Sequence, residues 1–173
     1  GVDHKFFNSV AGLRGLKGQL YEGGIRVPGI IKWPGKVTPG TIIDQPAYHA
    51  DIMPTLCAIV GAKPGKPLGT DLTPVILGKK KSLPNRNPMV WAGGGYGGQV
   101  AVRLGDMKVV RRNLFLKKKP DNWEVYDISK DPFEKNNLAA QHRDLIDKAI
   151  AILDREYRPS PGFPSLQYKA KES

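Results

Sequence analysis

The sequence predicts an α+β fold in which a small antiparallel sheet packs against a C-terminal helix. Three features carry that prediction. Stretches with strand composition occur at Met89–Trp91, Gln99–Leu104, Met107–Arg112 and Trp123–Ile128, rich in the β-branched and aromatic residues that suit a pleated surface. Gly105 and Asp106 join the middle two, a pairing suited to a tight hairpin turn. From Gln141 to Tyr157, the residues Ile146, Ala149, Ile150, Leu153 and Tyr157 recur at three- and four-residue steps, the period of a helix with one apolar face. Pro159 and Pro161 stop that helix, and the polar tail from Ser165 should fray.

The bulk properties fit one chain with a real core. It has 173 residues, 40% hydrophobic and 25% charged, a soluble globular composition. No apolar run approaches membrane-spanning length, that at Ile150–Leu153 being short. No signal peptide is legible and the sequence begins at Gly1, which suggests processing and leaves localisation unread. The single cysteine, Cys57, allows no internal disulfide and reads as a buried, inert thiol on an apolar helix face.

The elements then follow in order. Gly1 to Gly12 carries Phe6 and Phe7, which should anchor the loop in a core; Asp3 and His4 are adjacent and make a poor metal site. Leu13 to Gly35 organises the rest. Gly15 and Gly18 flank Lys17, so the backbone can approach an anion that the lysine ammonium would hold. Gly23 and Gly24 force a turn after Glu22, Arg26 follows, and Val27–Trp33 reads as an edge strand because of Pro28. With few local partners, that strand should be mobile or pair with another copy of the chain. Thr41–Ile43 suggests a further short strand. Asp51 reads as the N-cap of a helix ended by Gly61, with Ile52, Leu56, Ile59 and Val60 as its buried face, and His49 precedes the cap. Residues 63–87 form a Pro-, Gly- and Lys-rich connection with one apolar turn at Leu72–Leu77, and a subdomain boundary falls there, giving segments 1–78 and 79–173. Leu114, Phe115 and Leu116 extend the strand before them. The Gly93–Gly98 run does not open a helix and so reads as a flexible loop at a site mouth, with Tyr96 facing substrate.

Charge is strongly positive: 27 Lys and Arg against 16 Asp and Glu give a net +11. Lys79, Lys80 and Lys81 form one cluster; Lys108, Arg111, Arg112, Lys117, Lys118 and Lys119 form another. Either they are solvated tips, or they make an electrostatic funnel for a polyanion such as nucleic acid or a sulfated glycan.

From Leu13 to Leu138 the chain resembles the formylglycine-dependent sulfatases of the alkaline phosphatase-like superfamily. The residues that carry the resemblance are Leu13-Arg14-Gly15 with Lys17, then Tyr21-Glu22-Gly23-Gly24 with Arg26-Val27-Pro28, and Trp33-Pro34-Gly35. Asp51 with Pro54-Thr55-Leu56 follows, then Asp71, Pro74 and Gly78, and finally Tyr126-Asp127 with Asp131-Pro132, Glu134 and Asn137-Leu138. The resemblance implies a C-terminal portion of such an enzyme: residues 1–78 as a piece of an α/β catalytic domain, whose strand and helix join a large sheet, and 79–173 as an antiparallel-sheet subdomain. It implies that Lys17 contacts the sulfate group, and that Glu22 and Arg26 form a buried or half-buried pair bracing the loop. The family's nucleophile lies in a Cys-x-Pro-x-Arg run that this sequence lacks, Cys57 being followed by Ala58 and Ile59. Its calcium ligands are acidic residues near the family's N-terminus and an Asp-Asn-Gly upstream of this segment. The implied function is therefore the hydrolysis of aryl sulfates or sulfated glycans by a parent enzyme that binds calcium, periplasmic or secreted, with this segment inactive alone and partnered by the N-terminal catalytic part. A phosphodiesterase or phosphonate-ester hydrolase of the same superfamily, or a non-catalytic polyanion-binding domain, remain as alternatives.

Overall fold

The computed structural model describes residues 6–115, 120–161 and 166–169. Asp3, His4, Leu116, Lys117 to Lys119 and Ser165 lie outside the described residues; Leu166 and Tyr168 of the tail are buried in the core and not frayed. The chain forms two compact units: Gly1–Val27 with Val90–Ser173, and Pro28–Met89. The first 27 residues thus belong with the C-terminal sheet, a different division from the expected boundary after residue 78.

In the first unit the strands β1 (Met89–Gly93), β2 (Gln99–Leu104), β3 (Met107–Arg112) and β4 (Glu124–Asp127) lie in chain order in one sheet. Pairing is antiparallel between β2 and β3, with Val102 opposite Val109, and between β3 and β4, with Val109 opposite Val125. Gly105 takes a positive φ of 61° in the hairpin turn, which glycine adopts without a Cβ penalty. β3 ends at Arg112, and Leu114 and Phe115 lie beyond it.

Side chains alternate across a strand, and here both faces are buried. Val100, Val102, Val109 and Val125 meet Ile146, Ala149, Ile152 and Leu153 of the long helix Arg143–Glu156 (α4 below) in one core. Ile152 belongs to this face although the sequence pattern had not included it. Ala101, Val110 and Tyr126, on the opposite face, meet Leu20 and Tyr21. That second face is covered by the N-terminal segment, which includes the single turn α1 (Glu22–Ile25).

The surface reading of Lys108 and Arg111 is overturned: both are buried, Lys108 under this cover and Arg111 on the opposite face, with Val109. Arg111 donates to the carbonyls of Asp121 (2.8 Å) and Tyr168 (2.6 Å) and lies over the Trp123 ring. Neither cation can belong to a polyanion funnel. Phe6 and Phe7 do not anchor in a core; both are exposed and meet edge to face at 4.9 Å.

In the second unit, α2 (Ile52–Val60) ends on Gly61 at φ 71° as expected, and α3 (Thr73–Ile76) forms the apolar turn. Its organising residue is Asp51, which does not cap α2 with its side chain. The carboxylate accepts instead from the Tyr48 and Thr70 amides (2.9 and 2.7 Å) and from the Arg86 guanidinium at 3.0 Å to each oxygen. Thr55 bridges the Asp51 carbonyl and the Leu72 amide. Two expectations fail here. Val27–Trp33 and Thr41–Ile43 form no strands; a strand needs a neighbour to complete its ladder, and no sheet includes them among the described residues. The supposed core face of α2 is exposed at Ile52, Leu56, Ile59 and Val60, while Pro54 and Thr55 are buried; Cys57 is half-buried.

Candidate functional site

The site is built on the segment that covers the sheet. Gly23 and Gly24 are required by close approach: a Cβ on Gly23 would come within 2.5 Å of the Gly15 carbonyl, and one on Gly24 would overlap the carbonyl of Gln19. The turn is therefore folded tightly against residues 14–19. Gly15 and Gly18 take φ of 85° and 91°, and the Gln19 side chain accepts from the Leu16 amide at 2.9 Å. Lys17 stands exposed at the tip of this constrained loop.

Beneath it lies a buried ionic network. Lys108 on β3 reaches Glu22 at 3.0 Å and Glu134 at 2.9 Å, with all three side chains at or near complete burial. Glu134 also accepts from the Glu22 amide at 2.7 Å, and its backbone sits in the left-handed region at φ 53°. Burial pushes its carboxyl above the ordinary range, and Lys108 opposes that rise. Alongside, Arg14 donates to the Tyr126 hydroxyl (2.6 Å) and the Glu134 carbonyl (3.1 Å), pairs with Glu124 at 3.2 Å, and lies over the Tyr21 ring. The Tyr21 and Tyr126 hydroxyls both donate to Glu124. Burial, with Glu124 beside them, drives both phenols well above their ordinary value.

The predicted residues divide clearly. Lys17 and Tyr96 come together: the Tyr96 hydroxyl lies 3.4 Å from the Lys17 carbonyl, and its ring borders Gly18, where a Cβ would come 3.0 Å from it. Tyr96 is 58% exposed and holds a positive φ of 52°, a conformation uncommon outside glycine. Glu22 and Arg26 do not pair. Arg26 is exposed at the end of the single turn α1, and the cation that meets Glu22 is Lys108, 86 residues away. Sequence reasoning missed Gln99, a buried amide that contacts both the Lys17 and the Tyr96 loops. Its signal was a polar residue placed directly before the apolar run Val100–Val102.

Chemically, the arrangement presents one exposed ammonium and one exposed phenol on a rigid base. Lysine at neutral pH is a compact cation with three donors and no acceptor, suited to holding an oxyanion. Among the described residues no three His, Cys, Asp or Glu side chains gather so as to hold a metal ion. Glu22 and Glu134 are committed to Lys108. These residues do not fit a calcium site, and no step is assigned to one.

The motif residues match a known family. The profile described as N-sulphoglucosamine sulphohydrolase, C-terminal, matches residues 16–155. A sulfatase of Formosa agariphila is 32% identical over 144 residues, which cover 75% of this chain and 26% of that protein. Human arylsulfatase A is 34% identical over 151 residues, covering 73% of this chain and 28% of that protein. Among solved structures, that of Ps i-CgsB in complex with k-i-k-neocarrahexaose superposes with a TM-score of 0.69 at 25% identity, over 83% of this chain and 31% of that one. The chain therefore spans between a quarter and a third of these three proteins.

Proposed function

This chain belongs to the sulfatase family, in the C-terminal region of its members, and from that premise we propose that it supplies a sulfate-contacting lysine and part of the substrate-facing wall of a sulfuric ester hydrolase. The observation that carries the reading is the contrast among the cations of the covered sheet face. Arg14, Lys108 and Arg112 are all committed to carboxylates, whereas Lys17 stands exposed on a loop locked by glycine contacts and beside Tyr96. The ammonium lies against the sulfate oxygens and offsets negative charge as the ester bond breaks. Tyr96 borders the substrate beyond the sulfate, an aryl group or a sugar. The nucleophile, a formylglycine by the family resemblance, and any calcium come from other parts of the parent enzyme, so this segment has no activity of its own. The parent is secreted or periplasmic on the same reading, and no described helix is long and apolar enough to cross a membrane.

The exposed face of α2 belongs to this proposal. Ile52, Met53, Leu56 and Val60 are more than half exposed along one nine-residue helix, an unusual density of uncovered apolar surface. The catalytic part of the enzyme covers it; a second copy of this chain is the competing occupant.

The decisive experiment is Lys17→Ala in the full-length enzyme, assayed on an aryl sulfate with calcium present. Loss of one preorganised charge contact should lower kcat/KM about a hundredfold, or ~3 kcal/mol, with the melting temperature unchanged. Wild-type turnover in the variant overturns the reading.

A further inference from the structure

Resting on the reading of Lys17 as the sulfate contact, we propose that Gln99 is a positioning residue: its side-chain amide holds the Lys17 loop and the Tyr96 loop at a fixed separation, so that the ammonium and the phenol present one preformed face to the substrate. Gln99 opens β2 and is 1% exposed. A buried amide is costly unless its donors and acceptor are paired, and here they are. Nε2 donates to the Gly18 carbonyl and to the Gly95 carbonyl, each at 2.9 Å. Oε1 accepts from the Leu20 amide at 3.2 Å. Gly18 is the residue after Lys17, and Gly95 the residue before Tyr96. One planar group therefore bonds to the flanking backbone of both candidate substrate contacts.

The chemistry is specific to glutamine. Two donors on one nitrogen satisfy two carbonyls, while the oxygen takes the amide of the same loop. Glutamate would set an oxygen against both carbonyls, and methionine would remove all three bonds, leaving the Gly95 carbonyl only the Gly98 amide. The anchor is a strand residue paired opposite Arg112 in the sheet, and sites held from strands keep their geometry better than sites held by loops alone. The loops also touch each other: a Cβ on Gly95 would come 3.1 Å from the Gly18 carbonyl, so a shift in one moves the other. The positive φ of Tyr96 persists only where surrounding contacts over-determine it, and Gln99 is the side chain that holds the adjoining residue.

The test is a double-mutant cycle in the full-length enzyme, with kcat/KM on an aryl sulfate measured for wild type, Gln99→Met, Lys17→Ala and the double variant. Misplacing a catalytic contact by about an ångström is enough for a tenfold to hundredfold loss, so Gln99→Met should lose at least about tenfold. In the Lys17→Ala background the same change should cost clearly less, because only the Tyr96 phenol is left to misplace. If Gln99→Met does not fold, Gln99→Glu, which keeps the Leu20 contact, takes its place in the cycle. An equal loss in both backgrounds, or no loss in either, overturns the positioning role. Wild-type activity in Lys17→Ala alone instead overturns the underlying reading of Lys17, so the two failures are distinguishable.

Discussion

Lys108 Nζ lies 3.0 Å from Glu22 Oε1, joining the turn beneath the Lys17 loop to the middle of the sheet with both side chains out of water. Glu134 completes the cluster from the other side at 2.9 Å. Removing the cation would leave two carboxylates facing each other in the interior. Breaking a buried pair typically costs ~3–5 kcal/mol because the remaining charge is uncompensated. Lys108→Ala should therefore lower the unfolding free energy by about that amount. Arg26→Ala, at an exposed position, should stay within about 0.5 kcal/mol of wild type. Equal effects in urea unfolding would contradict the assignment of Lys108 as the partner of Glu22.

That cluster also shows what the sequence made legible. The hairpin, the four strands and α4 follow from periods and turn residues that are local, and the structure has all of them. Lys17 was singled out through the family resemblance and Tyr96 through its glycine surroundings, and the two loops meet. Arg111 is buried on the helix side of the sheet, against the Trp123 ring and the Tyr168 carbonyl. Lys108 was not legible as a buried cation, because its partners lie far along the chain and alternate strand residues normally face water. Here the N-terminal segment covers that face, so the polar half of the alternation became a buried network. Glu22 was expected to pair with Arg26, its neighbour in sequence, and pairs instead with a residue that only the fold brings near. Val27–Trp33 has strand composition but no neighbour to pair with among the described residues, and composition cannot supply one.

Gly24 should be the least replaceable glycine of the turn. A Cβ there would overlap the Gln19 carbonyl and come to 2.5 Å from that of Leu16. Backbone cannot yield as a flexible side chain can, so Gly24→Ala should cost ~1–3 kcal/mol or more, as overpacking does. Gly29, whose Cβ would meet nothing within 4 Å and whose φ is not positive, is the control and should tolerate alanine. Thermal unfolding of the two variants settles the comparison; equal midpoints would remove the role given to close packing.

Alkaline pH should destabilise the first unit through Tyr21 and Tyr126. Both phenols are raised above the ordinary tyrosine value by burial and by Glu124, to which they donate. The folded state thus keeps protons that the unfolded chain releases near pH ~10. More protons are bound in the native state, so stability is fully present below that pH and falls as pH rises above it. Denaturant midpoints measured upward from pH 9 should decline, and Tyr21→Phe should flatten the decline. A midpoint that holds constant through the ordinary tyrosine range would show that the phenols are not protected.

The exposed face of α2 yields the sharpest separation between this segment and a complete enzyme. Leu56 is 53% exposed in the described structure, and surface substitutions away from special features usually change stability by less than about 0.5 kcal/mol. Leu56→Glu in the 173-residue chain should therefore be nearly neutral. In a full-length enzyme whose catalytic part covers the helix, the same change buries a carboxylate against apolar surface. An unpaired charge there is strongly unfavourable and should lower the unfolding free energy by at least ~2 kcal/mol. The pair of measurements also addresses the competing occupant. If two copies of this chain cover the face, the wild-type chain elutes as a dimer on gel filtration and Leu56→Glu converts it to a monomer. A monomeric wild-type chain, with a large loss confined to the full-length enzyme, assigns the face to the catalytic part. Neutral behaviour in both proteins would mean that α2 remains solvated in the parent, and the proposed packing of this helix would have to be abandoned.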